Sequence, residues 1–323
     1  MTNIGAREYH YDDILLLPNY SSCYTRDSID LTTDFGSTNS YKSPIIPANM
    51  KTVINASLAI ELASKGYFYI MHRFNGFDPF AFVQDMHERN LYASISIGVN
   101  DESKELIQEL ALAKLTPKYI TIDIAHGDSR HMAEMLSLVK KKLPLSFVIA
   151  GNVCTTTGTR FLIDNGADAI KIGIGPGHVC TTKLMTGFSR PQFTAVLECC
   201  KAAGGVPVIA DGGISHNGDV AKAMVAGATM VMCGHMLAGF DESPGEKIIH
   251  QDGRITKQYF GSASEHNKER KKNIEGRKIE IPYRGSIWDK YREMEESLRS
   301  SCSYAGIYHP IDLPKSCQWV VQR

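Results

Sequence analysis

The chain has 323 residues, more than a small domain needs and enough for an α/β barrel of about 250 residues with insertions. Thirty-five Lys and Arg balance 35 Asp and Glu, so the chain has no basic field with which to hold nucleic acid non-specifically. A hydrophobic fraction of 43% beside 22% charged residues excludes bulk disorder.

The first ten residues lack the apolar core of a secretory signal. The one stretch that superficially suggests a membrane span, 223–240, is broken by Gly227, Thr229, Gly234, His235 and Gly239. It predicts a helix end, a turn, a buried strand and a loop, and no membrane partner. Eight cysteines stand at 23, 154, 180, 199, 200, 233, 302 and 317 with no C-x-x-C pair. A chain this long needs no disulfide staples, so most are expected to be small buried hydrophobes in a reducing compartment, and the cytoplasm is the expected location.

In chain order, short apolar runs recur at 44–49 (PIIPAN), 67–72 (YFYIMH), 93–98 (ASISIG), 119–125 (YITIDIA), 146–152 (SFVIAGN), 169–175 (AIKIGIG), 206–213 (VPVIADGG) and 229–235 (TMVMCGH). Their starts are 23, 26, 26, 27, 23, 37 and 23 residues apart. Helical signals lie between them: Asp101-Glu102-Ser103 before a leucine stripe, Asn217-Gly218-Asp219 before 220–223, and Gly66, Gly166, Gly204 and Gly227 as C-terminal stops. Eight β–α alternations predict a parallel sheet covered on both faces. An open doubly wound sheet competes, but the even spacing favours closure into a (β/α)8 barrel formed by the whole chain, 1–323. Two insertions interrupt the repeat, a loop at 175–190 and a polar segment at about 241–286 of the kind that forms lids, before a final helix at about 287–300.

Barrel chemistry collects at the C-terminal ends of strands. Those ends read Asn49-Met50, His72-Arg73, Asp123 to His126, Gly151-Asn152, 173–180, Asp211-Gly212-Gly213 and Gly234-His235, polar or glycine-rich where the strand bodies are apolar. In 173–182 (GIGPGHVCTT) alternate glycines precede Cys180 and two threonines, a pattern that suits a thiolate nucleophile; an unreactive loop cysteine is the plainer alternative. The turns at Gly212-Gly213 and Gly234-His235 follow the seventh and eighth runs, where barrels hold phosphate on backbone N–H groups.

The motifs 11–17 (YDDILLL), 44–50 (PIIPANM), 172–182 (IGIGPGHVCTT), 209–213 (IADGG), 259–265 (YFGSASE), 273–276 (NIEG) and 300–306 (SSCSYAG) resemble the IMP dehydrogenase/GMP reductase family, from about residue 7 to 306. Within that family the chain is similar to the reductase branch. Only 26 residues separate the starts of the second and third runs, leaving no room for the CBS modules that dehydrogenases usually insert, and no Arg-Tyr pair stands between Glu265 and Pro282 to activate water. The resemblance implies reductive deamination of GMP to IMP and ammonia through a covalent thioimidate on Cys180, with NADPH as cofactor. It implies Thr182 and Glu275 as a proton-handling pair and Asp211 on the ribose hydroxyls, with Gly212, Gly213, Gly234 and His235 around the phosphate. Gly261, Ser262, Ala263, Lys272 and Gly276 would face base and ribose. For the cofactor it implies Arg73, Asp123, Ile124, Ala125, Ile174 and Gly175 on one side. Thr25, Arg26, Ser300, Ser301, Cys302 and Ser303 would come from a neighbouring subunit of a homotetramer. Carbonyls of Gly175, Gly177 and Cys180 match a monovalent-cation site, potassium being the expected ion. The chain departs from the pattern at His178, where many relatives have Ser, at His235, where many have a second Gly, at Lys272 in place of Arg, and at His126 in place of an amide. A dehydrogenase without CBS modules and a non-catalytic nucleotide-sensing barrel are the rival readings.

Overall fold

In a strand covered on both faces, successive side chains meet different neighbours. A computed structural model of the chain describes residues 7–322 except 37–38, 263 and 265–274. Seven of the eight apolar runs form parallel strands: β1 (Ile45–Pro47), β2 (Ser94–Ile97), β3 (Tyr119–Asp123), β4 (Phe147–Val153), β5 (Ala169–Ile172), β6 (Val208–Asp211) and β7 (Met230–Cys233). Their order is β1-β7-β6-β5-β4-β3-β2. The last strand pairs with the first, Val231 opposite Ile45 and Cys233 opposite Pro47, as closure of a barrel requires.

The run at 67–72 departs from expectation. It lies beside β2 through one bridge, Met71 opposite Ile95, with Met71 N–H donating to the Ser94 carbonyl at 3.0 Å. Tyrosine hydroxyls occupy backbone groups that a regular ladder would pair. Tyr92 donates to the Tyr67 carbonyl at 2.5 Å, and Tyr69 accepts the Ser94 N–H at 3.2 Å.

Side-chain alternation separates two apolar layers. Ile46, Phe68, Ile70, Tyr119, Ile149, Ala169, Ile209, Met230 and Met232 form one cluster in the barrel interior. Their neighbours Ile45, Ile120, Ile122, Val148, Ile170, Ile172, Val208 and Val231 belong to the larger cluster shared with the helices. The interior is packed with rings at the N-terminal ends of the strands. Phe35 and Phe68 lie 4.9 Å apart, and Tyr41 donates to the Tyr119 hydroxyl at 2.7 Å. This parity also turns Asp123, Lys171 and Asp211 toward the barrel axis, at the opposite end.

Helix ends follow local chemistry. Asn55 accepts Leu58 N–H at 2.9 Å to cap Ala56–Ser64, and Gly204, at φ +59°, closes Gln192–Ala203. Asn100, not the acidic residues after it, caps Asp101–Leu112. The 241–286 insertion contains an antiparallel sheet of β8 (Lys247–Ile249), β9 (Ile255–Phe260) and β10 (Lys278–Pro282). The final helix, Ile287–Ala305, runs past the expected end because Cys302 and Ala305 continue its buried stripe of Ile287, Tyr291, Met294 and Leu298. Strand Ile14–Leu17 pairs antiparallel with Gln318–Val321, bringing the two ends of the chain together. Among the described residues no helix is long and apolar enough to cross a membrane.

Candidate active site

Two close approaches shape the cysteine loop. Gly173, at φ +150°, passes so near β6 that a Cβ there would lie 2.0 Å from the Asp211 carbonyl. Gly175, at φ +85°, leaves 2.5 Å between such an atom and Ser189 Oγ. A side chain at 173 would have to move backbone and one at 175 would displace Ser189, so the loop turns back over the strand ends and carries Cys180 to the cleft. The short helix Thr182–Thr186 follows.

The flap closes onto this loop by backbone pairing. Cys180 bridges Gly276, Thr181 N–H donates to the Glu275 carbonyl at 2.8 Å, and Arg277 N–H donates to the Val179 carbonyl at 3.0 Å. Gly276 also bridges Ser264, and Gly261 N–H donates to the Arg277 carbonyl at 3.3 Å. Residues almost one hundred apart in sequence thereby align their side chains. The Cys180 thiol donates to Thr182 Oγ1 at 3.1 Å, and the Thr182 hydroxyl donates to Glu275 Oε2 at 2.7 Å. A continuous proton path joins sulfur to carboxylate. All three residues line a cleft of about 770 Å³ that also takes in Asp123, Ile124, Ile174, Gly175, Gly177, Asp211, Gly212, Gly261 and Ser262. Other thiols are chemically remote from such a role: burial pushes Cys199 up to about 11 and Cys233 and Cys302 up to about 12.

The cleft floor holds groups that sequence reasoning missed. Lys171 is 2% exposed and pairs with Asp211 and, at 3.2 Å, with Asp123. Burial opposes its charge, but the two carboxylates hold the ammonium above its ordinary pKa. Burial likewise opposes ionisation of Asp123, and Lys171 with Arg73 keeps its carboxyl below the ordinary range. Asn49 Nδ2 donates to Asp123 Oδ2 at 2.7 Å, and Asn152 Nδ2 donates to Asp211 Oδ2 at 2.8 Å. A lysine inside the otherwise apolar run 169–175 was the available signal.

At the glycine turns, Gly212 and Gly213 have φ +92° and +80°, and a Cβ on Gly234 would lie 2.7 Å from the Tyr259 hydroxyl. The departures His178 and His235 come together: their rings stack with centroids 4.2 Å apart. Arg284, just after β10, donates to the His235 carbonyl at 3.0 Å and approaches its Nε2 at 3.4 Å. Burial, then Arg284 and His178, brings His235 down to about 4, so it is neutral near pH 7 and can accept from the guanidinium.

A second group of expected residues lies apart from the cleft lining. Thr25 accepts Asp27 N–H at 3.3 Å to cap Arg26–Ser28, and this turn packs beside the last helix, where Ser300, Ser301 and Ser303 are half-buried and Cys302 is in the core. Exposed Tyr20, Tyr24 and Tyr304 belong to the same two segments. Arg73 and Ala125 line the cleft, whereas His126 is exposed and is not among its lining residues. Ala263 and Lys272 lie outside the described residues.

The description "IMP dehydrogenase / GMP reductase domain" fits residues 8–322, nearly the whole chain. The chain belongs to the IMP dehydrogenase / GMP reductase family. Its relatives in this family include proteins named GMP reductase. That of Latilactobacillus sakei subsp. sakei is 52% identical over 300 residues, 92% of this chain and 91% of the relative. That of Bacillus subtilis is 51% identical over the same shares, and that of Lactobacillus acidophilus is 48% identical over 308 residues, 95% and 93% of the two chains. The family assignment and the seven-stranded parallel sheet, whose last strand pairs with its first, agree with the barrel read from eight apolar runs.

Proposed function

We propose that the chain is a GMP reductase, converting GMP to IMP and ammonia with NADPH in purine nucleotide salvage and interconversion. The observation that carries this reading is the hydrogen-bonded path from the Cys180 thiol through Thr182 to Glu275 beneath the flap. With guanine C2 at Cys180, the thiol proton passes along this path as sulfur bonds to carbon. The same pair then delivers a proton to the exocyclic nitrogen, because ammonia leaves carbon readily and an amide-like anion does not. Loss of ammonia leaves a thioimidate on Cys180. Bound NADPH supplies the hydride for C2. The C2–S bond then breaks with its electron pair returning to sulfur, which gives IMP.

The remaining roles rest on the family resemblance and on position. Asp211 accepts from the ribose hydroxyls. Gly212, Gly213, Gly234 and His235 receive the phosphate on backbone N–H groups, with His178 and Arg284 adjacent. Gly261, Ser262 and Gly276, with Ala263 and Lys272, cover base and ribose. The cleft continues past Cys180 to Arg73, Phe74, Asn75 and Phe77, a mixture of cationic, amide and aromatic groups that fits a dinucleotide. There Arg73, Asp123, Ile124, Ala125, Ile174 and Gly175 hold the cofactor. A neighbouring subunit of a homotetramer adds Thr25, Arg26 and Ser300 through Ser303. Carbonyls of Gly175, Gly177 and Cys180 would hold potassium, since the Gly177 carbonyl that accepts the Cys180 N–H at 3.0 Å keeps a second lone pair. No step is routed through that ion. Eight free cysteines support a cytoplasmic enzyme, and we read 1–323 as one barrel domain with a flap at 241–286.

The test is spectrophotometric. NADPH should be oxidised only when GMP is present, with one ammonia per NADPH. Sustained NADH formation from IMP and NAD would assign the chain to the dehydrogenase branch instead.

A further inference from the structure

Lys171 interrupts an apolar strand and points along the inward parity of β5 to the cleft floor. A charged stem in that place needs space, and the neighbouring strand provides it. At Gly151 a Cβ would lie 2.5 Å from Lys171 Cβ, so any larger residue there would displace the lysine. Five strand ends then contribute one continuous chain of contacts, Asn49–Asp123–Lys171–Asp211–Asn152. Gln192 Nε2 pins the Asp211 backbone by donating to its carbonyl at 3.1 Å.

We propose that Lys171 is a positioning residue, whose single buried cation fixes Asp211 for the nucleotide ribose and Asp123 for the cofactor. The inference rests on the substrate and cofactor roles given above. Its physical basis is that two inward carboxylates cannot both remain ionised in a low-dielectric floor without a cation between them. Lys171 therefore does not supply the proton for departing ammonia; it is bound to both carboxylates.

The other titratable groups facing this chain come from separate elements. Arg73, after the 67–72 run, acts on Asp123. Tyr259 on β9, Cys233 on β7 and Tyr11 lie near Asp211, and burial raises all three, Cys233 to about 12. None of these changes charge between pH 6 and 8. Removing the Lys171 charge thus leaves Asp123 and Asp211 as the groups that titrate.

The test is calorimetric binding of GMP and, separately, of NADPH from pH 6 to 8, with folding followed by circular dichroism. GMP carries its own phosphate titration, so the quantity read is the ratio of variant to wild-type dissociation constants. For Lys171→Met the GMP ratio should rise about tenfold as pH falls from 8 to 6, the weakening expected when loss of the cation in a buried floor moves a carboxylate pKa up by about three units, into that range. A flat ratio overturns the proposal. If that variant does not fold, Lys171→Met with Asp123→Asn restores the net buried charge. This pair should bind GMP within a few-fold of wild type at every pH while weakening NADPH about tenfold. Loss of GMP binding with NADPH binding unchanged contradicts the proposal. Turnover of GMP by the wild type is measured in parallel, so an error in the assigned reaction is seen independently of the lysine.

Discussion

In the proposed reaction, sulfur nucleophilicity at Cys180 and proton delivery to the leaving nitrogen draw on the same three side chains, which makes their contributions separable by substitution. Cys180→Ala removes the only group that can bond to C2. Turnover should vanish while GMP binding, measured by calorimetry, stays within a few-fold, because the glycine turns and Asp211 are intact. Cys199→Ala is the control: Cys199 is fully buried with its thiol held protonated at neutral pH, and comparable loss there would remove Cys180 from its assigned role. Glu275→Gln preserves shape but cannot accept a proton. Deamination should slow by about 10²–10⁴-fold, whereas an exposed lid charge would change the rate by about threefold or less, the small worth of exposed charges. Hydride transfer itself makes no demand on Glu275, and at alkaline pH solvent takes the thiol proton in its place, so the burst is read there. Mixing this variant with IMP and NADP should therefore still give the first burst of NADPH; equal loss of burst and steady-state rate would mean that Glu275 positions the flap.

Among the elements, the run at 67–72 carries a buried titration as well as its irregular pairing. His72 is 5% exposed, its Nδ1 accepts the Phe74 N–H at 3.2 Å, and burial, with Lys51 nearby, brings it down to about 4. The unfolded imidazole titrates near 6.5, so the native state holds His72 neutral while the unfolded state takes up a proton. Stability is fully present above pH 6.5 and falls as the pH drops toward 4. At pH 5 the loss from His72 should be about 2 kcal/mol. Urea unfolding at pH 7 and pH 5 checks this, and His72→Gln should remove most of the difference. The same elements mark how far sequence reading reached. Seven apolar runs became strands because their β-branched and apolar residues suit burial on both faces. The remaining run, 67–72, is rich in tyrosine, and hydroxyls replaced its ladder, which periodicity does not encode. The roles proposed for Cys180, Thr182, Glu275 and Asp211 come from family motifs. Those of Lys171 and Arg284 do not, because their significance arises from strand parity and from a flap that folds back over a distant loop.

At the scale of the whole molecule, the turn at Arg26–Ser28 and the end of helix Ile287–Ala305 meet on a face with Tyr20 93%, Tyr24 101% and Tyr304 63% exposed. Three exposed tyrosines on adjoining segments suit contact with another copy. Sedimentation should give a tetramer, and Tyr24→Asp with Tyr304→Asp should weaken it while raising the KM for NADPH more than that for GMP. A fully active monomer would remove the neighbouring subunit from the cofactor site. The central claim concerns Cys180 and the absence of an Arg-Tyr pair that would activate water in the flap. With IMP and NADP and no ammonia, hydride leaves C2 for the cofactor, sulfur bonds to that carbon, and nothing resolves the product. Mass spectrometry of the quenched wild-type enzyme should find one purine nucleotide on Cys180, with about one NADPH formed per active site. Continued NADPH formation with release of XMP, or no adduct on Cys180, would contradict the account.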